Sequence, residues 1–175
     1  MNIFDRIKSL SKGIAVLIDP DKFKTNEELE PFLRKIEVAK PDFIFIGGSS
    51  VAKSDFDRCV SVVKSMLSIP IVLFPGASHH LSNHADALLF LSLISGRNPD
   101  FLIGQHVEAT DELAKLDIET IPTSYLLIDG GKTQLKFVKN IISKSKHKDI
   151  EVISIVKGSN RVRATETIIG NDGVV

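Results

Sequence analysis

The sequence is poor in cysteine, in net charge and in long apolar runs, and each shortage closes off a class of protein. One cysteine, Cys59, among 175 residues rules out any disulfide within the chain. It lies in an apolar-periodic segment, which reads as a packed thiol and fits a reducing, cytoplasmic setting. Lys plus Arg and Asp plus Glu both number 22, so no global field draws the chain to nucleic acid or to an anionic membrane. The longest apolar run, ALLFLSLI from Ala87 to Ile94, falls well short of the ~20 residues a membrane span needs. The opening MNIFDRIKSLSKG has no apolar h-region and no cleavage signal. These features disfavour secretion and membrane insertion. The G-x-G-x-x-G and GKS/T spacings of nucleotide-binding loops are also missing.

What is present is the balance of a globular protein, 43% hydrophobic and 25% charged. A chain of this length is expected to form a single domain, burying roughly 70% of its unfolded surface. Apolar, β-rich runs recur at 14–19, 42–48, 69–76, 87–95, 120–129, 151–156 and 172–175. Most are continuous rather than alternating, the pattern of parallel strands covered on both faces. Between them, Leu29, Phe32, Leu33 and Ile36 fall on one helical face, behind a capping box at Thr25 and Glu28. Further helical patterns begin near Ser54, Asn98 and Thr133. Strand-helix alternation of this kind predicts an α/β fold, either an open doubly wound sheet or a closed barrel. In both, ligands meet the carboxyl ends of the strands. Asp19, Gly47-Gly48, Pro75-Gly76, Ser95-Gly96, Asp129-Gly130-Gly131 and Gly158 are therefore expected on one rim.

Each rim residue has two readings. Asp19, before Pro20 and Asp21, can start a turn by accepting local hydrogen bonds, or it can bind a hard cation such as Mg²⁺, which takes one or two carboxylates together with phosphate oxygens and water. Gly47-Gly48-Ser49-Ser50 can be a plain strand-helix turn, or a loop whose backbone approaches an anion and whose hydroxyls bind phosphate or metal. Arg97 can grip a pyrophosphate, beside Asn98 as a helix cap and Pro99 in the first turn. His79, His80 and His84 lie in GASHHLSNH, the last two at helical spacing. No glutamate follows His80 as in H-E-x-x-H, so a solvated helix is the preferred reading over a zinc site. His106 is expected to be packed or turned outward.

Taken in order, LIDPDK, IGGSS, IPIVLFPG, ADALLFLSLISGRNP, LIGQHV and IPTSYLLIDGG resemble the geranylgeranylglyceryl phosphate synthase family, almost continuously from Gly13 to Gly131. The resemblance implies a modified TIM (β/α)8 barrel and an Mg²⁺-dependent prenyltransferase. Such an enzyme moves a polyprenyl group from its diphosphate to the 3-hydroxyl of sn-glycerol 1-phosphate, as in the making of an ether lipid. Carried over by position, Asp19 matches the metal-binding aspartate and Ser49 the metal-binding hydroxyl. Gly47, Gly48, Arg97 and Gly158 are then the candidate substrate-binding residues. A homo-oligomer is implied, with peripheral membrane contact for product release and no membrane span.

The resemblance changes after Lys132. The family's Pro-Arg segment, one β/α unit and the YLEAGSGA motif, whose glutamate is proposed to help deprotonate the glycerol hydroxyl, do not appear. Lys157-Gly158-Ser159 stands where the family has a glycine triplet. The expected explanation is a segment missing between Lys132 and Thr133, because losing two central strands would leave sheet edges that a barrel must close. The rivals are a non-catalytic relative that binds phosphorylated or prenylated ligands, and another phosphate-binding barrel enzyme for which Lys157 would be the candidate catalytic group.

Overall fold

Four short, largely apolar runs, AVLI, FIFI, IVL and ALLFLSL, together with ETIPTSY, become five parallel strands lying side by side in chain order. They are β1 (Ala15–Ile18), β2 (Phe43–Ile46), β3 (Ile71–Leu73), β4 (Ala87–Leu93) and β5 (Glu119–Tyr125). The helices are α1 (Ile3–Ser9), α2 (Asn26–Ala39), α3 (Lys53–Met66) and α4 (Gly104–Leu113), with 3-10 turns at Pro20–Lys22 and Pro99–Phe101. The computed structural model describes residues 2–125, 140, 143–144, 154–157, 166–170 and 173–174. The chain divides into two compact units, 1–126 and 127–175.

Strand order decides between the two α/β architectures. A doubly wound sheet reverses its order at a switch point. Here β1 to β5 follow one another without reversal, in registers such as Ala15 opposite Phe43 and Ala87 opposite Glu119. That is the winding of a β/α barrel. Alternate residues of the central strands β2, β3 and β4 feed two apolar clusters, as expected of strands covered on both faces, while β1 and β5 each contribute to one. Ile18, Ile44, Ile46, Ile71, Leu73 and Leu88 pack with Leu29, Leu33 and Ile36 of α2 and Phe56, Val60 and Val63 of α3. Phe43, Val72, Ala87, Leu89 and Ile121 form the other cluster, joined by Ile3, Ile7 and Leu10 from the N-terminal segment.

Local chemistry sets the helix ends. The Glu28 amide donates to Thr25 Oγ1 at 3.4 Å and the Lys24 amide to Glu28 Oε2 at 2.7 Å, so the carboxylate of the expected capping box reaches the residue before the cap. The last turn of α2 closes on Lys40 at φ 48°, ahead of Pro41, which cannot continue a helix. The helix expected near Ser54 is α3, and Asn98 caps the 3-10 turn before α4 by accepting from the Asp100 amide at 3.0 Å. α1 was not expected. Its signal is Asn2, which accepts from the Asp5 amide at 2.7 Å, followed by Ile3, Ile7 and Leu10 at helical spacing.

The second unit corrects one expectation. Runs 151–156 and 172–175 were assigned to the same parallel barrel. Instead β6 (Ser154–Lys157), β7 (Glu166–Gly170) and β8 (Gly173–Val174) form a separate antiparallel sheet. Parallel neighbours need a crossover of about a dozen residues or more. Only positions 171–172 separate β7 from β8, between Gly170 and Gly173, so a hairpin is what this spacing allows. The expected helix from Thr133 and the Lys132–Thr133 junction lie outside the described residues. No helix among the described residues is long and apolar enough to cross a membrane.

Candidate functional site at the strand ends

Asp19 follows Ile18 directly and takes the turn-starting role. Its Oδ1 accepts the Asp21 amide at 3.1 Å and so caps the Pro20–Lys22 turn. One hydrogen bond leaves most of a carboxylate's lone pairs available, and the half-buried side chain also stands on the wall of a cavity. Asp21 is engaged elsewhere. Its Oδ1 pairs with Lys24 at 3.3 Å and its Oδ2 accepts from Ser50 Oγ at 3.3 Å, which ties the first strand-end loop to the second.

The second loop, Gly47 to Ser50, lies against two neighbours so closely that side chains are excluded. A methyl group on Gly47 would fall 1.9 Å from the Phe74 carbonyl oxygen, and one on Gly48 would fall 2.7 Å from Asp19 Oδ1. The glycines therefore let the Asp19 carboxylate lie against the loop and let bare backbone form this part of the wall. The third loop is layered on the second in the same way, because a carbon added at Gly76 would stand 2.2 Å from the Gly48 oxygen and 3.3 Å from Ser49 Cα.

The His79–His84 stretch is not the solvated helix its spacing suggested. It is a series of turns between β3 and β4, and His80 is buried. The helical spacing misleads because the i+4 contacts that define a helix are replaced here by contacts to the neighbouring loops. The His80 ring stacks on Phe56 at 4.6 Å and 5°, accepts the Gly76 amide on Nδ1 at 3.1 Å and places Nε2 3.0 Å from the Val51 carbonyl. His79 Nε2 reaches the same carbonyl at 3.1 Å. Burial lowers the His80 pKa, opposed by the bond to the Val51 carbonyl, helped by His79 and opposed again by Asp21. Among the described residues no group of three or more His, Cys, Asp or Glu could hold a metal ion. Cys59 is a packed thiol as expected, with burial raising its pKa to about 11.

These loops open onto a cavity of about 670 Å³, lined mostly by apolar side chains with a few polar ones among them. Asp19, Gly47, Gly48 and Ser49 share its wall, so four sequence-derived candidates are brought together. Phe23, Phe32, Phe74, Leu89, Leu91 and Phe101 supply apolar surface. Arg97 is exposed and is not part of this wall. It falls in the turn after β4, just before the Asn98 cap. Gly158 lies outside the described residues. His106, expected to be packed or turned outward, is half-buried and lines the cavity, stacked on Phe90 at 3.8 Å with Nε2 2.7 Å from the Leu91 carbonyl. Sequence reasoning passed over Lys22 and Gln105, which also line the cavity. Lys22 was legible as the cation that follows the acidic turn. Gln105 had no such signal, because its place depends on where α4 docks; there its Oε1 accepts the Ser78 amide at 2.6 Å.

Comparison with known proteins places this chain in a lineage. Residues 8–159 match the PcrB family. Over 140 residues the chain is 46% identical to the geranylgeranylglyceryl phosphate synthase of Chitinophaga pinensis, covering 79% of this chain and 55% of that one. The same-named protein of Zunongwangia profunda is 46% identical over 120 residues, 69% of this chain and 50% of that one. A crystal structure of (S)-3-O-geranylgeranylglyceryl phosphate synthase from Thermoplasma acidophilum, in complex with its substrate sn-glycerol-1-phosphate, superposes with a TM-score of 0.69 at 30% identity, over 78% of this chain and 57% of that one. The chain thus spans about half the length of the curated relatives it matches. A family match over most of the sequence and a shared parallel β/α architecture lead to one conclusion: the chain belongs to the PcrB family.

Proposed function

We propose that the protein transfers a polyprenyl group from its diphosphate to the 3-hydroxyl of sn-glycerol 1-phosphate, forming an ether bond. The observation that carries this reading is a largely apolar cavity with a carboxylate, a hydroxyl and bare glycine backbone on its wall. Asp19, Lys22, Ser49 and bare glycine backbone share a wall with Ser78, Gln105 and His106, and most of the remaining lining is aromatic and aliphatic. A prenyl diphosphate combines the same two characters, a dense anion joined to a hydrocarbon chain. Phe23, Phe32, Phe74, Leu89 and Leu91 would take up the chain and keep water from the allylic carbon once the diphosphate begins to leave. Gly47 and Gly48 let the phosphate-bearing end approach the backbone. Lys22, on the same wall, adds a positive charge near the leaving group.

Mg²⁺ fits the donor set. One half-buried carboxylate, Asp19, and one hydroxyl, Ser49, leave the remaining positions to phosphate oxygens and water, which is how Mg²⁺ is commonly held. The ion would neutralise the diphosphate as it departs. The Chitinophaga and Zunongwangia relatives carry the synthase name, and the Thermoplasma enzyme has sn-glycerol-1-phosphate bound. Both support this choice of substrates. A cytoplasmic homo-oligomer belongs to the same reading, supported by the buried lone thiol and by a net charge of zero that offers little resistance to association.

The test is incubation of the full chain with labelled sn-glycerol 1-phosphate and prenyl diphosphates of several lengths, with and without Mg²⁺. Formation of a labelled, organic-extractable ether is expected. A second reading, ligand binding without turnover, is favoured by the missing YLEAGSGA motif. Saturable binding of both substrates with no ether product would establish it in place of the first.

A further inference from the structure

His80 is fully buried, yet it lies outside the cavity wall and takes no part in the chemistry described above. Its two ring nitrogens are both committed. The Gly76 amide can only donate, so Nδ1, 3.1 Å away, carries the lone pair. The ring proton is then on Nε2, which donates to the Val51 carbonyl at 3.0 Å. This neutral tautomer bridges two loops that no strand pairing joins at that point. Val51 is two residues beyond Ser49, and Gly76 is the residue whose backbone presses on Gly48 and Ser49.

We propose that His80 is a positioning residue, whose neutral ring ties the loop after β2 to the turn after β3 and so fixes the Gly48–Ser49 wall of the cavity for the phosphate-bearing substrate. This rests on the prenyl-transfer reading for the identity of the substrate. The mechanical link stands on its own geometry. The ring is held flat against Phe56 of α3, so its position is set by the helix rather than by the loops it bridges. Movement of Gly76 toward the second loop meets the Gly48 oxygen, because the two backbones already lie close together. With Val51 tied to the ring and Gly76 packed on Gly48 and Ser49, the segment from Gly48 to Val51 is held at both ends. His79 cannot replace the bridge, since it reaches the Val51 carbonyl but its ring stands edge-on to His80, at 80°.

Two variants test the link. His80→Phe keeps a flat ring for the Phe56 stack and removes both hydrogen bonds. His80→Gln keeps one polar group within reach of the Val51 carbonyl. In the full chain without ligand, hydrogen exchange of the Gly76 amide should quicken at least about tenfold in His80→Phe, while amides in the middle of β4 keep their wild-type rates. Inorganic pyrophosphate with Mg²⁺, followed by calorimetry, should bind about tenfold more weakly to His80→Phe, and His80→Gln should recover part of that loss. In the transfer assay, KM for the prenyl diphosphate should rise by a similar factor with kcat changed less than about threefold. Unchanged Gly76 exchange, or pyrophosphate binding equal to wild type, overturns the inference. If His80→Phe does not fold, the same two measurements on His80→Gln decide it, with Gly76 exchange again required to rise. A wild-type chain that shows no transfer removes the proposed function, and Gly76 exchange still decides the role of His80.

Discussion

Gly47→Ala asks whether the close layering of strand ends is as tight as the structure shows. The added carbon would lie 1.9 Å from the Phe74 oxygen, 2.9 Å from its carbonyl carbon and 3.1 Å from its Cβ. An ordinary carbon-oxygen contact is about 3.3 Å or more, so the two chains must part by over 1 Å. The Phe74 amide now donates to the Ile46 carbonyl at 2.8 Å and the Gly47 amide to the Ile18 carbonyl at 3.1 Å. A parting of that size breaks the first of these and strains the second. Leaving one buried backbone group unpaired costs about 1–3 kcal/mol, and overpacking a tight core adds about 1–3 kcal/mol. A loss of about 3 kcal/mol is therefore expected, which for a chain of this size is roughly 6–12 °C in Tm. Gly96→Ala is the control, since nothing there comes nearer than 3.6 Å, and it should stay within about 0.5 kcal/mol of wild type. Thermal and urea unfolding followed by far-UV circular dichroism provide the measurement. A Gly47→Ala protein within 2 °C of the Gly96→Ala control would refute the steric argument.

Asp19→Asn should lower prenyl transfer by about 100-fold or more at saturating Mg²⁺, the scale of several kcal/mol of lost leaving-group stabilisation; without ligand its stability should change by less than about 0.5 kcal/mol, because Asn caps a turn as well as Asp, and near-normal turnover would remove Asp19 from the metal site. Cys59 should resist a thiol reagent such as Ellman's at pH 8 in the folded protein, since it is buried with its pKa raised to about 11; labelling should appear only in urea, and prompt labelling of native protein would contradict the packing. His80 has a folded pKa below its ordinary 6.5 through burial, with His79 acting the same way and the Val51 carbonyl and Asp21 opposing. The unfolded chain therefore binds this proton first as pH falls below about 6.5, so stability that is complete above that pH is lost as the pH drops through the folded pKa. The urea midpoint should decline from pH 6.5 to pH 5, and His80→Gln should flatten that decline.

Continuous apolar runs and the acids and glycines that end them were enough to indicate parallel strands, a common rim and the candidates Asp19, Gly47, Gly48 and Ser49. Such signals are local: a strand buried on both faces must be apolar throughout, and a turn at its end must change chemistry abruptly. Thr25 and Glu28 were legible for the same reason, since a helix cap is satisfied within a few residues. Tertiary structure decided what depends on partners distant in sequence. His80 and His84 have helical spacing, but His80 is held by Gly76, Val51 and Phe56, contacts that form only after β2, β3 and α3 have packed. Arg97 sits at a strand-helix junction in sequence and away from the cavity wall in space, while Gln105, unremarkable in sequence, is brought to that wall by α4. Runs 151–156 and 172–175 have the composition of buried strands, but composition carries no direction. Direction comes from the length of the connection, and the short link between Gly170 and Gly173 lets the chain return only antiparallel.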